Sequence, residues 1–205
     1  MGTSPSMIRS YTWADLFTLA NAACGTVTVF ACLSYIARDQ ERWLWTAFAL
    51  PVLALVFDAL DGWVARKDAR HQSVLGAELD ALADVVSFGV APAVLAYTLG
   101  LRGFWDATCL TLFVCAGISR LARFNVTAAA LTNAATGKVR YFEGTPIPTS
   151  VFLVLVMAVL FALDLTGPAF PGGNHKLLGR DFHPFSLLFL LNGGLMISTI
   201  KVPKP

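Results

Sequence analysis

Six stretches of this chain are apolar for about the length of a bilayer crossing, and that pattern leaves it few folds. At a 1.5 Å rise per residue, about 20 apolar residues in a helix span the hydrocarbon layer. Runs near that length fall at 13–36, 43–60, 79–99, 107–124, 148–165 and 184–200. Backbone facing lipid must satisfy its own hydrogen bonds, and runs this long do so as helices rather than barrel strands. Only 14% of the residues are charged, where a soluble domain carries about 25%. The 205 residues therefore read as one membrane-embedded domain, all α, with six transmembrane helices. The second and sixth runs are short.

Six crossings put both termini on one side, and the 15 Lys and Arg divide unequally between the sides. Arg9, Arg66, Lys67, Arg70, Arg120, Arg123, Lys138, Arg140, Lys201 and Lys204 fall on one side, against Arg38, Arg42, Arg102, Lys176 and Arg180 on the other. The richer side is expected to face the cytosol and carries both termini. The net charge of +2 comes without a basic, aromatic-studded run, so nucleic acid is not an expected partner. Cys24, Cys32, Cys109 and Cys115 lie inside apolar runs without CxxC spacing and read as small core residues. The polar N-terminus lacks the short apolar stretch of a cleaved signal peptide. His71, His175 and His183 share no ligand spacing and read as loop or interfacial residues.

The chemistry concentrates between positions 58 and 84. Asp58 and Asp61 are three apart and share a helix face. Gly62 and Ala65, each four residues further on, leave that face almost bare, so a bulky ligand can lie against the backbone. Arg66 follows, a guanidinium able to fork onto phosphate oxygens. Asp80 and Asp84 are four apart on the next helix, with Gly76 one turn before them. A charged side chain in a membrane span costs at least ~2.5–3.5 kcal/mol, and converging carboxylates repel one another. Compensating cations are therefore expected. Oxygen-only ligands suit hard ions, Mg2+ or Mn2+, which bridge carboxylates to phosphates. Two ions would neutralise four aspartates. Asp68 falls outside the spacing and reads as a solvated loop residue.

The pattern D-x2-D-G-x2-A-R-x9-G-x3-D-x3-D, met by Asp58, Asp61, Gly62, Ala65, Arg66, Gly76, Asp80 and Asp84, resembles the signature of CDP-alcohol phosphotransferases. The segment between Arg66 and Gly76 is one residue longer than usual, a difference the loop is expected to absorb. The flanks DLFTLANAACG (15–25), ELDALADVVSFGVAPA (78–93), SRLARFNV (119–126) and YFEGTPIP (141–148) are similar to phosphatidylserine synthases, the CDP-diacylglycerol–serine O-phosphatidyltransferases, of the fungal branch. The long polar N-terminal extension of fungal members is missing, so the chain is expected to be a shortened form.

The resemblance implies a six-helix, homodimeric membrane enzyme of the endoplasmic reticulum, with its site open to the cytosol. It would transfer the phosphatidyl group of CDP-diacylglycerol to the hydroxyl of L-serine, releasing CMP. Asp58, Asp61, Asp80 and Asp84 would hold two divalent ions, with Asp84 also serving as general base; this last role is inherited from the resemblance alone. Gly62, Ala65, Arg66 and Gly76 would bind CDP-diacylglycerol. Thr18 and Asn21, three apart on the first run, fit nucleotide contact and helix packing equally.

Acceptor choice must lie outside the aspartate motif. Arg120 and Arg123, three apart on the fourth run, and Asn125 sit where a fork could take the serine carboxylate. Glu143 could face the ammonium, and Ser87 lies three residues after Asp84. Spacing alone leaves both arginines equally readable as lipid-headgroup anchors. Two other activities compete: a sister transferase using inositol or glycerol phosphate, and a metal transporter. The transporter would place its carboxylates mid-helix and leaves Gly62, Ala65 and Gly76 without a role.

Overall fold

The computed structural model describes residues 13–67, 74–132 and 141–203, with side chains for 13–64, 75–126 and 144–200. Helix α1 spans Trp13–Arg38, with Asp15 in its first turn and Arg38 in its last, the signs that complement the helix dipole. A tight turn follows, in which Asp39 takes φ 50° and its N–H caps Tyr35 O at 2.8 Å. It folds α2, Arg42–Lys67, back along α1. Pro51 sits inside α2, as transmembrane helices tolerate.

The third crossing joins α3 (Val74–Asp84), a π-helical segment (Val85–Val90) and α4 (Ala91–Leu99) without a break. Ala91 N–H reaches Val86 O, five residues back, and Pro92 has no N–H to donate at all. The widened turn begins immediately after Asp84. Helix α5 covers Phe104–Thr132, α6 Ser150–Ala162 and α7 Leu187–Ile197. Among the described residues, four helices are long and apolar enough to cross a membrane, namely Trp13–Arg38, Arg42–Val64, Leu75–Leu99 and Phe104–Val126. The shorter apolar helices Ile147–Ala162 and Pro184–Ile197 bring the set to six, as the hydrophobic runs predict.

Large apolar side chains point both ways. Leu44, Phe88, Leu95, Phe113, Met157 and Phe189 are buried in the centre, while Phe30, Leu33, Leu53, Phe152, Val159 and Leu191 are exposed around the outside. Helices apolar on all faces belong in lipid. Small residues bring the helices together inside. A Cβ on Gly193 would lie 3.2 Å from the backbone of Phe113, and one on Gly117 would lie 2.8 Å from Ile147.

The helices depart from the hydrophobic runs at their ends. Helix α2 continues to Lys67, α3 starts at Val74 and α5 extends to Thr132, because hydropathy marks where lipid ends while the backbone ladder can run past that boundary. The last run stops as helix at Ile197. The chain then turns so that β4 (Lys201–Pro203) pairs antiparallel with β1 (Tyr141–Glu143), with Glu143 opposite Lys201. Gly144, at φ +76°, makes the turn beside the Met196 carbonyl that a side chain would obstruct.

On the opposite side, the α6–α7 connection holds a hairpin of β2 (His175–Leu177) and β3 (Arg180–Phe182). His183 lies in the loop just after β3, one of the two places the sequence suggests, but it is buried rather than interfacial. Its Nδ1 lies 2.6 Å from Asp106 Oδ2, its backbone N–H donates to Asp106 Oδ1 at 2.8 Å, and Gly103 N–H donates to the same carboxylate at 3.0 Å. Sequence spacing missed this pair because its members lie 77 residues apart.

Candidate active site

Two helices deliver the aspartates. Asp58 and Asp61 project from α2, and Asp80 and Asp84 from α3, one i,i+3 pair facing one i,i+4 pair. Asp58 and Asp61 sit more than a turn before the end of α2, and Asp80 more than a turn after the start of α3. Asp84 is the last residue of α3, where the π segment of the continuous third crossing begins. Asp61 and Asp84 are buried, and Asp58 and Asp80 half-buried.

Asp58, Asp80 and Asp84 each offer a carboxylate oxygen such that all three lie within 4.8 Å of one another. Oxygens on opposite sides of a Mg2+ ion are about 4.2 Å apart at its usual bond length, so a hard divalent ion fits with little adjustment. Asp80 Oδ1 is buried without a hydrogen-bond partner, as a reserved ligand atom would be. Like charges about 4 Å apart in a partly buried setting repel by about 4 kcal/mol. A bound cation converts that repulsion into attraction.

The structure adds supports that spacing did not reveal. Thr18 Oγ1 on α1 donates to Asp61 Oδ2 at 2.8 Å, and Asn21 Nδ2 donates to Asp84 Oδ1 at 3.2 Å. Both α1 residues are buried. The sequence singled them out as polar positions in an apolar run, but could not say which atoms they touch. Asp15, also buried, lies within electrostatic range of Asp61.

Other candidates fall at varied distances from the cluster. Arg120 on α5 is half-buried and within electrostatic range of Asp84, and its Nε is buried without a hydrogen-bond partner. Arg123, on the same helix, is exposed, and Asn125 is half-buried. Ser87 is fully buried in the π segment and donates to the backbone carbonyl of Asn21 at 2.8 Å. Gly62 and Gly76 lie on the helices that carry the aspartates, both half-buried. Ala65 and Arg66 belong to the α2 backbone and Glu143 to β1, but their side chains lie outside the described residues. So do Asp68, His71, Lys138 and Arg140, and with residues 68–73 most of the segment between Arg66 and Gly76 that is expected to absorb one extra residue.

Residues 11–191 match the CDP-alcohol phosphatidyltransferase family. The chain belongs to that family. Within it, the chain is 41% identical to the CDP-diacylglycerol–serine O-phosphatidyltransferase of Saccharomyces cerevisiae, over 98% of this chain and 73% of the yeast protein. Proteins of the same name from Helicobacter pylori and Methanocaldococcus jannaschii are 37% and 35% identical, over 95% and 87% of this chain and 73% and 74% of theirs. As a CDP-alcohol phosphatidyltransferase, the chain carries its acidic cluster where the signature aspartates fall, and the cluster is compatible with a divalent metal.

Proposed function

We propose that this chain transfers the phosphatidyl group of CDP-diacylglycerol to the hydroxyl of L-serine, giving phosphatidylserine and CMP. The observation that carries this reading is the convergence of Asp58, Asp80 and Asp84 from two helices, in a chain similar to serine transferases of a yeast, a bacterium and an archaeon. Divalent ions held by these carboxylates and Asp61, Mg2+ or Mn2+, would neutralise the diphosphate and stabilise the departing CMP.

The chain's own groups do the rest. Gly62, Ala65 and Gly76 would leave room for the nucleotide, and Arg66 would serve its phosphates. Asp84 accepts the proton of the serine hydroxyl. The serine oxygen bonds to the phosphorus that carries diacylglycerol, the anhydride P–O bond breaks, and CMP leaves with that electron pair. Arg120, a cation on α5 within electrostatic range of Asp84, would hold the serine carboxylate beside the base. Arg123, Asn125 and Glu143 would complete the acceptor side, whereas Ser87, expected there from the sequence, is fully buried and spends its hydroxyl on the Asn21 carbonyl. The site faces the cytosol from the endoplasmic reticulum membrane, and the working unit is a homodimer.

The test is CMP release by the purified protein in detergent–lipid micelles with CDP-diacylglycerol and Mn2+. L-serine should trigger release. Release with inositol or glycerol 3-phosphate but not with serine would move the chain to a sister activity. Metal flux in proteoliposomes without any CMP release would make it a transporter.

A further inference from the structure

Asn21 is a poor packing residue for the place it occupies. It is 0% exposed, in the middle of α1. Its Nδ2 donates to Asp84 Oδ1, and its own Oδ1 is buried with no partner. An ionised carboxylate only accepts hydrogen bonds, so Asp84 dictates which way the amide points. Leucine would fill a similar volume without stranding a carbonyl, and buried polar atoms left unpaired call for an explanation.

The backbone of Asn21 is gripped as well. Ser87 Oγ donates to Asn21 O at 2.8 Å. Gly25, one turn further along α1, touches the same place: a Cβ there would lie 2.6 Å from Ser87 Oγ and 2.7 Å from its Cα. Ser87 is three residues past Asp84, inside the π segment. A single turn of α1 thus holds the stretch 84–87 at two points, the Asp84 carboxylate and the Ser87 hydroxyl. The glycine sets the depth of the contact. The π segment breaks the regular helical ladder at this very turn, so the ladder alone does not set the orientation of Asp84.

We propose that Asn21 is the positioning residue for Asp84: clamped to the π segment through Ser87 and Gly25, it sets the plane in which the Asp84 carboxylate meets metal and acceptor. This rests on the reading of Asp84 as a working member of the site. It assigns Asn21 to the carboxylate rather than to the nucleotide.

Asn21→Leu separates the possibilities, because it keeps the bulk, removes the donor and removes the stranded carbonyl. The full chain, purified in micelles, would be compared with Asn21→Leu and Asp84→Asn. The readouts are kcat, KM for each substrate, melting temperature, and Mn2+ binding to the substrate-free protein by electron paramagnetic resonance. Asn21→Leu should melt no lower than the parent yet lose about 10-fold or more in kcat, as small displacements of a reacting group do. Its KM for CDP-diacylglycerol should stay within about twofold, and Mn2+ binding should weaken at least about threefold. A raised KM for CDP-diacylglycerol with unchanged kcat would overturn the proposal in favour of direct nucleotide contact. Unchanged kcat and Mn2+ binding would overturn it outright. If Asn21→Leu does not elute as a folded species, Asn21→Ala is read by the same kinetic and Mn2+ criteria. An active Asp84→Asn would instead bring down the reading of Asp84 on which the proposal rests.

Discussion

Thr18 and Asp61 meet across the α1–α2 interface, hydroxyl to carboxylate at 2.8 Å, although 43 residues separate them in sequence. The same hydroxyl lies 3.2 Å from Ala14 O, but its one proton goes to the shorter and charge-assisted bond. Deleting it leaves a buried carboxylate oxygen unsatisfied, which costs about 1–3 kcal/mol. Thr18→Val, nearly the same shape, should lower kcat about 10-fold and raise the Mn2+ concentration for half-maximal CMP release. Thr18→Ser should retain most activity. Equal activity in Val and Ser variants would assign Thr18 to packing alone.

The three carboxylates within 4.8 Å should fail together. Asp58→Asn, Asp80→Asn and Asp84→Asn are each expected to lose at least about 100-fold in kcat, since groups acting as one unit are non-additive. A double variant should then be little worse than a single one. Chelation should abolish CMP release, and added Mg2+ or Mn2+ should restore it. Multiplicative losses in the double variant would argue for independent roles.

The arginines of α5 should control serine and not nucleotide. Lysine keeps the charge but loses the planar fork. Arg120→Lys and Arg123→Lys should each raise the KM for serine about 10-fold or more, with the KM for CDP-diacylglycerol within about twofold. An arginine whose lysine variant titrates with serine like the parent is not in the acceptor site.

Far from the aspartates, the Asp106 carboxylate receives Gly103 N–H, His183 N–H and His183 Nδ1, and it is 0% exposed. It pins the α6–α7 connection onto the start of α5. Breaking a buried pair by removing one partner costs about 3–5 kcal/mol. For a domain of this size, His183→Ala or Asp106→Ala should lower the melting temperature by roughly 10 °C. Below that transition, KM for both substrates should be unchanged. A normal melting curve would show that the pair carries no stability.

Much of this protein was legible in one dimension because its constraints are local. Lipid demands long apolar helices, so six runs announced six helices. Helical periodicity puts Asp58 beside Asp61 and Asp80 beside Asp84 without reference to the rest of the chain, and the glycines among them sit at fixed helical offsets. The boundaries were less legible, since hydropathy marks where lipid ends and not where the helix ends. Hence α2 runs to Lys67.

Only the tertiary structure decided which carboxylates converge and what holds them. Sequence treated the four aspartates alike, yet Asp58, Asp80 and Asp84 form the tight group while Thr18 holds Asp61 and Asn21 holds Asp84. Those bonds cross between helices, and helix rotation and depth follow from packing, such as the contact of Gly25 on Ser87. The burial of His183 against Asp106 was hidden for the same reason. Periodicity reports which face of a helix a residue shares; only the packed bundle reports what that face meets.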